Sequence, residues 1–386
     1  MTAIARASAP RRRLVVVAHD IGMYGGMEKV HAELIRRLAG GWDISVVAAR
    51  LDPDLRPLVT WHRIPIPSRP MPLKFLTFFV LAGLRLRRLG DGVVHTCGAI
   101  VPNRVDVASV HMCHAGVVAI TGHLAPPEAT SLRRLNTGVK RLLALAAERW
   151  CYRIGRVRLL HAVSVGVGSE LAEHYPGVPV AVIPNGVDTR VFRPDEVARA
   201  AARAEHGVPE SALVAVFAGG DWDRKGLGLA IDGVRSARST DADVRLWVVG
   251  SGDERRYSAR AGSGEWIRFF GHQADVKRFY LGADVLLLPS EYETYSLVAH
   301  EAAACGLPVV ATAVHGVTDL VGKDEAGVIV QPRASDLAAA LVRMADEPQR
   351  RRSLGEQARR RAMALDWETI AARFGEMLDS VSTGRG

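Results

Sequence analysis

The sequence predicts an α/β protein built from two doubly wound, parallel-sheet domains, and three observations carry that expectation. The chain has 386 residues, too many for one ordinary core and suited to two of roughly 180 residues each. Short apolar runs such as Asp284-Val285-Leu286-Leu287-Leu288-Pro289 lack polar alternation, as strands covered on both faces do. Helix-like segments separate these runs in a regular rhythm, the pattern of parallel strands joined by crossover helices.

In chain order, residues 1–13 are rich in Ala, Ser, Pro and Arg without an apolar centre, and read as a flexible start rather than a signal peptide. Strands are expected at 14–18, 44–48, 93–95, 107–111, 159–164 and 181–183, giving a first domain over residues 1–190. An amphipathic helix ending at Leu38 follows the first strand. Residues 72–88 are apolar and end in Arg85-Leu86-Arg87-Arg88; they suit first a helix covering the first sheet, and second a helix lying on an anionic membrane. The stretch 191–209, part of an Ala-, Arg-, Glu- and Pro-rich run, reads as an interdomain linker. A second domain over 210–365 has strands expected at 212–218, 244–249, 267–270, 285–288, 308–311 and 328–330. Its helices are expected at 227–237, 275–281 and 334–344, and a last helix around 367–378 follows.

Composition narrows the function classes. The 48% hydrophobic content is ample for two cores. No run of eighteen apolar residues occurs, so no spanning helix is expected and the reading is a cytoplasmic protein. Cys97, Cys113, Cys151 and Cys305 lack C-x2-C spacing, which fits buried thiols in a reducing compartment and not a zinc site. The net charge of +9 suits nucleic acid, an anionic membrane or a phosphorylated substrate. No nucleic-acid motif and no aromatic platform interleaves the basic runs, so nucleic acid is set aside. Arg133-Arg134, Lys140-Arg141 and the arginines between 153 and 158 keep a membrane-linked acceptor in view.

Glu293 and Glu301 carry the most chemistry. Glu293 lies in the loop after the 285–288 strand, and Glu301 lies inside a helix opened by Thr294 or Ser296 and stopped by Gly306 and Pro308. Around Thr294, Tyr295, Ser296 and Leu297 the helix N-terminus offers N–H groups and a positive dipole end, a natural seat for phosphate. Open α/β sheets bind ligands at the carboxyl ends of their strands. One carboxylate on each side of a phosphate seat matches the sugar, pyrophosphate and ribose of a nucleotide sugar.

The segment from Glu293 through Glu301-Ala302-Ala303-Ala304-Cys305-Gly306-Leu307-Pro308-Val309-Val310-Ala311 resembles the E-x7-E signature and following block of the retaining nucleotide-sugar transferases of glycosyltransferase family 4. The resemblance implies a GT-B fold, with two facing Rossmann-like domains and a cleft between them. It also implies that residues 366–386 return to the first domain. Further blocks extend it. Gly25-Gly26, opening the first helix, corresponds to the family's glycine loop on the donor pyrophosphate. Gly219-Gly220-Asp221-Trp222-Asp223-Arg224-Lys225-Gly226 is similar to the family's G-R…K-G donor loop, except that Gly220 stands where an Arg is usual; Arg224 and Lys225 are then the cations for the leaving diphosphate. Gly250 and His272, at the ends of two strands, match loops that line the nucleotide. Pro184-Asn185-Gly186-Val187-Asp188 with Phe192 matches a structural block. His111, ahead of His114, corresponds to a histidine by the reaction centre, where an imidazole can donate or accept near neutral pH.

The resemblance thus implies a retaining glycosyltransferase moving sugar from a UDP- or GDP-sugar to a glycan, glycolipid or lipid-linked acceptor, with no cofactor and no metal. The catalytic candidates are Glu293, Lys225, Arg224 and His111. The donor-binding candidates are Gly25, Gly26, Gly250, His272, Thr294, Tyr295, Ser296, Leu297 and Glu301. Asp221-Trp222-Asp223 has the spelling of a cation-binding D-x-D, but it adjoins Arg224-Lys225, where a divalent ion would meet two positive charges. The rivals are a sugar-nucleotide epimerase of the same fold, which needs no acceptor surface, and a silent nucleotide-sugar-binding protein. Epimerised product would identify the first, and absence of slow donor hydrolysis the second.

Overall fold

The computed structural model describes residues 12–124, 131–323 and 325–383. Most of the expected flexible start lies outside the described residues, as does the side chain of Arg133. The chain divides into two compact units, Met1–Pro184 with Trp367–Gly386, and Asn185–Asp366.

The first unit runs β1 (Arg12–Val17), β2 (Asp20–Ile21), α1 (Gly26–Leu38), β3 (Trp42–Ala48), β4 (Arg50–Leu51), β5 (Thr60–Arg63), α2 (Met71–Leu86), β6 (Val93–Cys97), β7 (Val105–Val110), α3 (His114–Thr121), α4 (Ser131–Cys151), β8 (Val157–Ala162), α5 (Val165–His174) and β9 (Val180–Val182). Its main sheet has the order β5-β3-β1-β6-β7-β8-β9, parallel throughout. Strand succession reverses between β1 and β6, which makes the carboxyl ends of those strands the switch point where such sheets take ligands. Helix α2 buries Phe75, Phe78 and Ala82 but leaves Leu73, Leu76, Val80 and Leu84 exposed. Their spacing of three and four residues forms one stripe. The covering-helix expectation therefore accounts for only one side of this helix.

The second unit continues with α6 (Glu196–Glu205), β10 (Leu213–Ala218), α7 (Leu227–Arg238), β11 (Val244–Val249), α8 (Glu254–Ala261), β12 (Ile267–Phe269), α9 (Lys277–Gly282), β13 (Val285–Leu288), α10 (Leu297–Ala304), β14 (Val309–Thr312), α11 (Val317–Val321), β15 (Gly327–Val330), α12 (Ala334–Asp346) and α13 (Pro348–Met363). Its sheet order is β12-β11-β10-β13-β14-β15, again all parallel, with the reversal between β10 and β13. Leu227, Ile231, Val234, Leu337 and Leu341 fill one side of this sheet. Trp247, Phe279 and the alanines of α10 fill the other. Residues Ala299–Ala304 of α10 are all buried, and the small side chains of Ala299, Ala302, Ala303 and Ala304 let this helix sit deep against the sheet.

The stretch expected as a linker is folded into the second unit. Asp195 caps α6 through Ala198 N, and Arg199 and Arg203 from that helix bond Asp284 at 2.8 and 3.0 Å. Its Ala- and Arg-rich composition resembled a spacer because the partner carboxylate lies some eighty residues away. Where the chain enters and leaves this unit, Val187 and Asp366 are bridged as parallel neighbours. The last described element, α14 (Trp367–Thr383), packs on α1, β6 and β7 of the first unit.

Candidate active site

In the second unit, the loops that leave β10 and β13 meet at the switch point. Lys225 Nζ donates to Glu293 Oε1 at 2.7 Å, and Arg224 Nη1 lies 3.3 Å from the same oxygen. Ser290 Oγ adds a third donor at 3.3 Å. Lys225 and Glu293 are only 8% and 7% exposed. Burial alone would push the Glu293 carboxyl up, but Lys225 and Arg224 overcome it and hold the group below its ordinary value. Glu293 is therefore a carboxylate at neutral pH. Every bond found on it falls on Oε1, which leaves Oε2 for a ligand hydroxyl. The backbone locks the pairing: Glu291 N donates to Arg224 O at 2.9 Å, and Arg224 Nη1 donates to Tyr292 O at 2.5 Å. At Gly226, in the left-handed region at φ +77°, a Cβ would stand 2.0 Å from Pro289 O. Only glycine permits this approach.

The pair sits beside the N-terminus of α10. Ser296 occupies the cap position at φ +65°, and no side chain caps the helix. The expected Ser or Thr cap is thus a cap by position only. Its buried hydroxyl has no protein partner, and the first N–H groups of α10 are not taken by a capping side chain. Left-handed backbone at a residue other than glycine is strained and collects at functional sites. Thr294 and Leu297 are half-buried at this corner. The Tyr295 side chain does not line it: its hydroxyl donates to Asn185 O, and its ring stacks on His300 at 4.0 Å. What Tyr295 can offer a ligand is backbone. Glu301 is buried one turn further along α10, near enough to Tyr280 that burial and this carboxylate push the Tyr280 phenol well up. Gly250, at φ +127°, packs against Gly219 of the donor loop, and His272 is exposed next to Gly271, whose carbonyl accepts from Gly250 N.

The carboxylates of the D-x-D spelling are engaged elsewhere. Asp221 accepts from Arg224 at 3.0 Å, and Asp223 accepts from Tyr257 at 2.6 Å and Arg256 at 2.9 Å.

Gly25, Gly26 and His111 belong to the first unit. Gly25 is the N-cap of α1, again without a side-chain cap, and both glycines are exposed. His111 follows β7 directly. The parallel register sets Cys97 beside Ser109 and Ser109 beside His161, so alternation places His95, Cys97, Ser109 and His161 on one face of the sheet. Across that face Ser109 Oγ bonds both His95 Nε2 and His161 Nδ1 at 2.7 Å, and His161 Nε2 reaches Ile183 O at 2.8 Å. From α1, His31 stacks over His95 at 5.5 Å and lies 5.2 Å from the His111 ring. Burial, then the neighbouring His31, His161 and His95, holds His111 neutral with its pKa well below the ordinary value. Sequence reasoning singled out His111 and missed the rest of this face. The signal was there: His95 and Cys97 on β6, and Ser109 and His111 at the end of β7, each stand two residues apart, and His161 lies on β8. Cations gather at the β1 end of the same edge. Lys74 bonds Asp20 at 3.3 Å, and burial with Arg141 and Lys74 lowers the Lys140 ammonium. Burial with Lys140 and Arg141 brings His114 down to about 4.

Comparison with known proteins followed the same division. Residues 24–191 match the family described as Glycosyltransferase Family 4, and residues 212–347 match that described as Glycosyl transferases group 1. A D-inositol 3-phosphate glycosyltransferase of Thermobispora bispora is 30% identical over 92% of this chain and 90% of its own. Among solved structures, WaaG, a glycosyltransferase involved in lipopolysaccharide biosynthesis, aligns with a TM-score of 0.78 at 22% identity over 95% of this chain and 99% of that one. Anabaena Alr3699/HepE in complex with UDP-glucose aligns with a TM-score of 0.71 at 18% identity over 95% and 99%. Both share the GT-B fold with this chain. Among the described residues no helix is long and apolar enough to cross a membrane.

Proposed function

The chain belongs to glycosyltransferase family 4 and is a glycosyltransferase of the GT-B type, and from that premise we propose how it works. It transfers a sugar from a UDP- or GDP-sugar to an acceptor hydroxyl with retention, without a metal, on the cytoplasmic side of a membrane. The observation that carries this reading is the Lys225–Glu293 pair at the β10/β13 switch point, beside an α10 N-terminus that no side chain caps. The donor diphosphate takes the α10 N–H groups and Lys225, whose ammonium has three donors and can keep Glu293 while binding phosphate. Oε2 of Glu293 accepts from the transferred sugar, Glu301 accepts from the ribose, and Gly250 lines the nucleotide. As the glycosidic C–O bond breaks, negative charge grows on the diphosphate, and Lys225 with Arg224 stabilises that charge more than the ground state. The departing phosphate oxygen takes the acceptor proton, and the neutral His111 imidazole orients the acceptor or the sugar. No enzymic nucleophile is needed.

The acceptor is read as a phosphate-bearing glycolipid or lipid-linked glycan. Arg50 and Lys74 both bond Asp20, so with Lys140 beside them this edge of the first unit carries more positive charge than that carboxylate neutralises. The α2 stripe of Leu73, Leu76, Val80 and Leu84 is joined by exposed Leu135, Val139 and Leu142 on α4, which packs against α2. No acidic residue occurs between Asp54 and Asp91. Leaving four aliphatic side chains in water forgoes about 1.5–3 kcal/mol each, which contact with lipid would recover. D-inositol 3-phosphate, in the name of the Thermobispora relative, is the first soluble acceptor to try.

Lys225→Ala should lower turnover more than about tenfold with the fold intact, because a transition-state charge partner is lost. Excess EDTA should leave wild-type activity within about twofold, roughly 0.4 kcal/mol in barrier. Loss in EDTA, restored by magnesium and abolished in Asp223→Ala, would replace the metal-free reading with a D-x-D one.

A further inference from the structure

The geometry points to a metal site in the first unit formed by His31, Cys97 and His111, and we propose that a borderline divalent cation such as zinc binds there and withdraws His111 from catalysis. One ligand atom from each of the three residues lies within 4.8 Å of the others. They come from three elements that the fold alone assembles: α1, the last position of β6, and the residue after β7. Zinc bonds of about 2.0–2.1 Å to nitrogen and 2.3 Å to sulfur would draw these atoms to about 3.4–3.6 Å apart in a tetrahedron.

His31 shows the site is aimed. Its Nδ1 lies 2.9 Å from Met27 O, and a carbonyl only accepts, so Nδ1 carries the proton. The lone pair is therefore on Nε2, which is buried and has no protein partner, in a residue only 2% exposed. A ring held through one nitrogen by a backbone carbonyl, with its other nitrogen left buried and unpartnered, is how metal-binding histidines are held. Cys97 and His111 are half-buried, which gives a cation an entry path. One thiolate and two imidazoles select zinc, cobalt or copper over magnesium or calcium, and leave a fourth position for water. On binding, the Cys97 thiol releases its proton to solvent as the sulfur–metal bond forms. This cation has no part in the contacts proposed for Lys225 and the α10 N–H groups with the donor diphosphate, which lie in the second unit.

Cobalt(II) is the probe, titrated into the full chain under reducing conditions. One equivalent should produce thiolate-to-cobalt charge-transfer absorption, and zinc should displace it. Cys97→Ser should remove the band and His31→Gln should weaken binding at least about tenfold, with circular dichroism unchanged; Cys97→Ala serves if the serine variant folds poorly. No band in the wild type, or a band that survives in Cys97→Ser, overturns the site. The inhibition arm rests on the proposed role of His111. Zinc should reduce wild-type turnover more than tenfold, EDTA should restore it, and Cys97→Ser should keep basal activity while tolerating at least tenfold more zinc. A normal cobalt titration without inhibition would keep the site and overturn the withdrawal of His111.

Discussion

At Glu293 three donors converge on one carboxylate oxygen, whereas Glu301 sits further along the same helix among Tyr280 and the alanines of α10. The two should therefore separate in a calorimetric titration. Glu301→Gln should weaken binding of the free nucleoside diphosphate, while Glu293→Gln should leave that binding nearly intact and cut turnover. The reverse pattern would mean the two roles are exchanged. Glu148 offers a second test, of stability. Burial pushes its carboxyl up to about 7, against the help of His114 N at 3.0 Å and the Tyr175 hydroxyl at 2.8 Å. A raised folded-state value means the fold prefers the protonated acid. The stabilisation is complete below the unfolded value near 4.5 and is lost as pH rises through about 7. Stability should fall between pH 5 and 8 by on the order of 3 kcal/mol from this group. Glu148→Gln should flatten that slope, and denaturant melts at both pH values would show whether it does.

At the level of elements, the donor site depends on loops that approach more closely than side chains allow. Gly226→Ala forces a left-handed alanine whose Cβ would meet Pro289 O. The strain is about 1–2 kcal/mol before the clash, and relieving the clash would shift the loop that carries Lys225. We expect a loss of at least about 2 kcal/mol in the second unit's unfolding transition together with reduced turnover. A loss below about 0.5 kcal/mol would show that the two loops have slack. Helix α2 makes the complementary case, with one side in the core and an apolar stripe left in water. Leu76→Glu with Val80→Glu should cut pelleting with phosphatidylglycerol vesicles more than tenfold and leave stability little changed. Equal pelleting of the variant, or none by the wild type, would remove the membrane from the acceptor reading.

For the molecule as a whole, the two units use one plan twice. Each has a parallel sheet whose succession reverses beside its first strand, and in each the candidate residues leave the carboxyl ends near that reversal. The second unit spends those positions on cations and a carboxylate suited to a diphosphate sugar. The first spends them on histidines, a thiol and lysines.

The alternation of apolar runs and helices, the loop position of Glu293, the helical position of Glu301 and the charge of Arg224-Lys225 were all legible in the chain, because each is local: a few consecutive residues decide it. Tertiary structure alone decided that Lys225 reaches Glu293, that Ser296 holds its cap position in strained backbone, and that Tyr295 turns inward to Asn185. It also turned an expected linker into a helix clamped on Asp284, and brought His31, Cys97 and His111 within reach of one another. Alternation along a strand tells which residues share its face, but not which strand lies beside it. Strand order and register, set by packing between residues far apart in sequence, supply that second fact.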